Sequence, residues 1–310
     1  MSIQIFGQKQ NGVVSGHNYM EVDNHGHIGA HIWGADSTGT DRAVMTTVDG
    51  NLSISDNSDG LAIAQGLVTG LSFVHKFGFA PDFDTGDGEV DVWDGAEDNT
   101  TWEAMNYTFS TSGIINSISS SDAGDSQTLE IQGLDEDWEL TTLSATLSGQ
   151  TRVGFSPELI RVFRVKNINS TPLSGHAIVY ENTAITDGVP DDATKIRAIV
   201  HPDADQTEMA IYTIPAGKTA YIRSFNVAQA GGVRSTNYLF KLFARKPGGV
   251  FQLKHRTAIS STGNPYQHTY IEPEGPFTEK TDIKMTVQVT AASITAAAAV
   301  AGFDLVLVDN

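Results

Sequence analysis

The residues with most chemistry to offer lie in one acidic stretch, Pro81–Asn99, PDFDTGDGEVDVWDGAEDN. Asp82, Asp84, Asp87 and Asp91, with Glu89 and Asp94 beside them, are hard oxygen donors at short spacing. Such donors suit Ca²⁺, which takes roughly six to eight oxygens in flexible geometry. The opening D-x-D-x-G-D-G partly follows a calcium-binding loop, but Trp93 stands at its twelfth position, where such a loop carries a bidentate Glu. The competing reading is a solvated or structural turn. A second pair, His25 and His27, shares one face of a strand. Repeated about a three-fold axis, it would supply six imidazoles to a transition-metal ion, although Gly26 and Gly29 equally allow a plain turn with exposed histidines. The third set is cationic: Arg223, Arg234, Lys241, Arg245, Lys246, Lys254 and Arg256 place seven of the 19 Lys and Arg within 34 residues. They suit an acidic partner surface, or salt bridges to the chain's own surplus carboxylates.

Catalysis finds little footing. There is no G-x-S-x-G, and Ser110, Ser112 and Ser117–Ser121 sit in polar strand and turn sequence. Carboxylates such as Asp203, Asp205 and Glu208 qualify as a glycosidase pair only because acids are so numerous. Gly231-Gly232 and Gly248-Gly249 precede no G-K-[ST] and read as hairpin turns rather than phosphate loops. No catalytic residues and no certain cofactor are expected; Ca²⁺ is the cofactor candidate, beside the transition-metal reading of His25 and His27.

The elements that must position these residues are strands. In Gln206–Phe225 two runs of β-type residues flank Pro215-Ala216-Gly217-Lys218. Proline presets φ and glycine takes φ > 0 cheaply, so this is a hairpin or a tight corner. Leu71, Phe73, His75, Phe77 and Phe79 share one face of a half-buried strand at period two, and Ile283, Met285, Val287 and Val289 share another. Further strands recur about every ten residues between turn clusters, a spacing that predicts sandwiches or barrels. Thr183–Ala193 reads as a linker. The expected fold is all-β: an N-terminal β-hairpin arm (1–65), a first β-sandwich (66–185) and a second, jelly-roll-like sandwich (193–310). The arm has too few large apolar residues for a core of its own, so it is expected to dock on another surface or a sister subunit.

The bulk composition narrows the partners. With 310 residues and a formal net charge of −18, the surface repels phosphate backbones, and no nucleic-acid partner is expected. The chain has no cysteine, which excludes disulfides and thiol catalysis. The apolar tail Ala291–Val308 carries Ser293, Thr295, Gly302 and Asp304; it reads as two strands joined by a small-residue turn, not as a membrane span. The N-terminus shows no secretory signal pattern.

Seven stretches taken in order then carry a resemblance: GFAPDFDTGDGEVDVWDG (78–95), ISSSDAGDSQTLEIQGLDEDWELTTLSATLSGQT (118–151), LIRVFRVKN (159–167), QTEMAIYTIPAGKTAYI (206–222), RKPGGVFQLK (245–254), EKTDI (279–283) and AGFDLVLVDN (301–310). Together they resemble a family of tailed-bacteriophage virion structural proteins found in phages of aquatic bacteria. The resemblance implies a capsid decoration (cement) protein on the outer virion surface, assembled in the host cytoplasm, homotrimeric and bound to the major capsid protein. It also leaves open a head or tail fibre that binds host surface glycan.

Overall fold

A computed structural model describes residues 20–22, 28–30, 33–35, 41–43, 60–231, 236–290 and 294–310. The chain divides into two units, Met1–Asp59 and Gly60–Asn310. In the first, β1 (Met20–Val22) pairs antiparallel with β2 (Ile28–Ala30), and β3 (Trp33–Ala35) with β4 (Asp41–Ala43). His25 and His27 lie outside the described residues, as does Arg234.

The described part of the second unit has one short α-helix, α1 (Gly60–Ala64), and one 3₁₀ turn (Ala193–Lys195), and its other regular elements are strands. β5 (Leu71–Phe83) and β6 (Glu89–Asp91) precede β7 (Ile115–Ser120), β8 (Thr128–Asp135), β9 (Leu140–Thr146), β10 (Val153–Asn167) and β11 (Ala177–Glu181). A small pair, β12 (Ile185–Thr186) and β13 (Val189–Pro190), leads to β14 (Ile196–Val200). The last series is β15 (Ile211–Thr213), β16 (Lys218–Gly231), β17 (Asn237–Arg245), β18 (Gln252–Ser260), β19 (Tyr266–Phe277), β20 (Asp282–Val289) and β21 (Ala297–Asp309). They form three main sheets, ordered β14-β11-β7-β10-β8-β9, β15-β20-β17-β18 with β6 also on β20, and β19-β16-β21-β5. The all-β expectation holds. No helix among the described residues is long and apolar enough to cross a membrane.

Alternation along the strands explains the packing. In β11, Ile178 and Tyr180 enter one core while Ala177 and Val179 enter another, so the six-stranded sheet is buried on both faces at this strand, whereas its edge strand β9 is largely exposed. The larger core unites Ile160, Phe163, Ile196 and Ile199 of that sheet with Phe225, Tyr238, Phe240 and Phe303 of the other two. In β20, Ile283, Met285, Val287 and Val289 all point inward, as their spacing predicts. Across the junction, buried Arg161 of β10 reaches Asp282 of β20 at 2.9 Å and the Thr213 hydroxyl at 3.0 Å, and donates to the Ser110 carbonyl at 2.6 Å.

Several local readings change. β5 and β6 were expected in the first sandwich, yet β5 pairs with β21 along its length and β6 pairs with β20. Their partners lie some 200 residues away, a pairing that no local pattern reveals. The face of β5 that packs most tightly is also the opposite one: Lys76, Gly78 and Ala80 are buried, while His75 is exposed and Phe73, Phe77 and Phe79 are half-covered. A Cβ on Gly78 would lie 2.3 Å from the Ala210 nitrogen and 2.4 Å from the Val92 carbonyl, so position 78 has room for glycine alone. Pro215–Lys218 is a corner, because β15 and β16 belong to different sheets. The supposed linker contains a hairpin: Asp187 (φ 48°) and Gly188 (φ 80°) form the turn between β12 and β13, the backbone a type I′ turn requires. The C-terminal tail holds one continuous strand, β21, flanked by β16 and β5.

Candidate metal centre

The acidic loop folds back on β5. Asp82 N–H donates to the Ala96 carbonyl at 3.3 Å and Asp98 N–H to the Asp82 carbonyl at 3.0 Å. The Asp84 carboxylate accepts from the Gly86 and Asp87 amides, and Asp87 accepts from the Asp84 amide at 2.6 Å. This closed turn leaves Asp84, Asp87 and Asp98 with carboxylate oxygens within 4.8 Å of one another. Burial and then the neighbouring carboxylates, Asp98 first, hold Asp82 above the usual carboxylate range.

The set differs from the expected one. Asp98 joins Asp84 and Asp87, whereas Asp91 is fully buried, 2.6 Å from Lys284 Nζ, and accepts the Tyr107 amide at 2.8 Å. Pairing of β6 with β20 puts residue 91 on the inner side, where its charge fastens the loop to the sheet. Trp93 is a packing anchor: 1% exposed, edge-on to Tyr107, with its indole N–H donating to the Ala104 carbonyl at 3.0 Å.

A second cluster has no counterpart in the sequence reading. β11 and β14 run antiparallel with Ala177 opposite Val200, so the next pair beyond the ladder is His176 opposite His201. His176 Nε2 lies 3.2 Å from His201 Nδ1. His201 Nε2 lies 3.3 Å from the Asp94 carbonyl, which can only accept, so that nitrogen carries the proton. The return of the acidic loop brings Glu97, whose Oε2 is 3.9 Å from His201 Nε2 and accepts the Trp102 indole N–H at 3.1 Å. The Trp102 ring covers His176 at 4.3 Å between centroids. Glu97, His176 and His201, all half-buried, each offer a ligand atom within 4.8 Å of the others. Burial, then the neighbouring His201, lowers the His176 pKa to about 4, so the ring is neutral at ordinary pH. The sequence signal is absent because the three residues are 25 and 79 positions apart, and only strand register joins them.

The cationic residues divide. Lys241 pairs with Glu89, and Arg245 pairs with Asp282 at 2.6 Å while stacking on Phe109 and Phe251. Arg245, Lys246 and Lys254 line a cleft of about 410 Å³ together with Glu274. Arg223 on β16 is half-buried and Arg256 on β18 is exposed.

One grouping has the composition of a hydrolytic triad. His75 Nδ1 lies 2.6 Å from Asp304 Oδ1, and the Ser224 hydroxyl donates to the other oxygen of the same carboxylate. The carboxylate sits between the two, so the serine faces no imidazole base. No known family model matches the chain, and no curated protein is similar to it.

Proposed function

We propose that this protein is a structural subunit of a tailed-bacteriophage virion, most simply a homotrimeric decoration protein on the outer capsid surface. The observation that carries this reading beyond the resemblance is the exposure of two long edge strands. β18 ends one sheet and β19 another, so among the described residues each has a strand partner on one side only. β19 faces solvent over most of its length and β18 is half-covered with exposed positions at Gln252, Leu253, Arg256 and Ala258, and Val250 (78%), Leu253 (42%) and Ile271 (102%) are exposed apolar side chains. Long unpaired edges of this kind template association, and a protein made at high copy keeps them only if a neighbour covers them. A shell or sister subunit supplies that neighbour. The surplus of carboxylates keeps such a subunit off the packaged genome.

The test is native mass spectrometry of the purified chain, followed by imaging of particles from the parent phage. Trimers in solution and many copies on the capsid exterior are the expected results. A monomer at all concentrations, or a chain missing from the particle, overturns the proposal.

A second reading, adhesion to host surface glycan, draws on β19 itself. Tyr266, His268 and Tyr270 form a row beside His255 and Phe225, with Tyr266 38% exposed. Aromatic faces at a surface stack on sugar rings. Trp93 is spent in the core, and Trp138 is covered by Arg161 and Lys280. Few copies confined to the tail, together with cell binding lost in Tyr266→Ala, would favour this reading over the first.

A further inference from the structure

The geometry points to a transition-metal site of the Zn²⁺ class formed by His176, His201 and Glu97. Three features of the cluster belong together. First, two ligands of a tetrahedral ion, each about 2.0–2.1 Å from it, sit roughly 3.3–3.4 Å apart. The two imidazole nitrogens that face each other are 3.2 Å apart. Second, the outer contacts are those that prepare ligands. His201 gives its other N–H to the Asp94 carbonyl, which leaves the lone pair of Nδ1 aimed at His176. Glu97 is held by the Trp102 indole, with a ligand atom within 4.8 Å of one on each histidine. Third, the donors are two nitrogens and one oxygen, a set that selects Zn²⁺, Co²⁺ or Ni²⁺ over the oxygen-seeking Ca²⁺ and Mg²⁺.

An ion there would join three separate segments: the return of the acidic loop at Glu97, the entry to β11 at His176 and the exit of β14 at His201. It would act as a clamp at one end of the six-stranded sheet, replacing cross-links that a chain without cysteine cannot make. The site does not depend on the virion assignment, since it is complete within one chain.

The experiment titrates Zn²⁺ into the chelator-treated full chain by calorimetry, with Co²⁺ absorption as a second readout. The expected result is one equivalent bound with a Kd below about 10 µM, lost in His176→Ala/His201→Ala and kept in His25→Ala/His27→Ala. Glu97→Gln should weaken that equivalent by about 10-fold or more, and Trp102→Phe, which leaves every ligand in place, by a similar factor. Where the double variant fails to fold, these two substitutions carry the test. Equal uptake by the wild type and the double variant, loss in the His25/His27 variant alone, or unchanged affinity in both Glu97→Gln and Trp102→Phe overturns the site.

Discussion

Replacing Lys76 with methionine should change the sign of its effect on stability as pH rises. Lys76 lies on the tightly packed face of β5, 8% exposed, with Nζ donating to the Phe163 carbonyl at 2.5 Å. Burial, then repulsion from Arg164, lowers its pKa from the ordinary 10.5 to about 7, against a smaller attraction to Asp94. Between those two pH values the unfolded chain holds a proton that the folded chain does not, so stability contributed by this group rises with pH across the window. At about 1.4 kcal/mol per pH unit, the difference between 10.5 and about 7 is worth roughly 5 kcal/mol. Methionine fills similar space without a charge but leaves the Phe163 carbonyl without its donor, a loss of about 1–3 kcal/mol. Below pH 7, Lys76→Met should therefore be more stable than the wild type by roughly 2–4 kcal/mol, and near pH 10.5 less stable by about 1–3 kcal/mol. Urea unfolding of both proteins between pH 6 and 10.5 measures this, and the other titrating groups cancel in the difference. Two stability curves that stay parallel over this range would refute the reasoning about the buried amine.

Three other substitutions probe the scaffold. Asp282→Asn leaves the Arg161 guanidinium, itself 4% exposed, without its counter-charge, and should cost about 3–5 kcal/mol in denaturant unfolding. Gly188→Ala places a Cβ 1.8 Å from the Ser120 carbonyl at φ +80°, so a loss above about 2 kcal/mol is expected, seen as a lower melting temperature. Trp93→Ala empties a fully buried site and removes the donor to Ala104; a loss of about 3–5 kcal/mol by the same measurement is expected, and a change below about 1 kcal/mol would contradict the anchor role.

The sequence by itself determined what depends on near neighbours. Period-two spacing marked Ile283 to Val289 as an inward face, Pro215-Ala216-Gly217 marked a sharp change of direction, and the surplus of acids gave a formal net charge of −18. Each follows from the alternation of side chains along a strand, from backbone preference or from summed charge, all of which are local or global sums. Only the tertiary structure decided which strands pair. Pairing carried β5 to β21, turned Lys76 and Gly78 inward in place of the phenylalanines, drew Asp91 out of the acidic cluster and into contact with Lys284, and set His176 beside His201 and Glu97. The physical reason is that an antiparallel ladder fixes its contacts by register between distant segments. Side chains 25 or 79 residues apart become neighbours through backbone hydrogen bonds that any sequence of strand-forming residues could make.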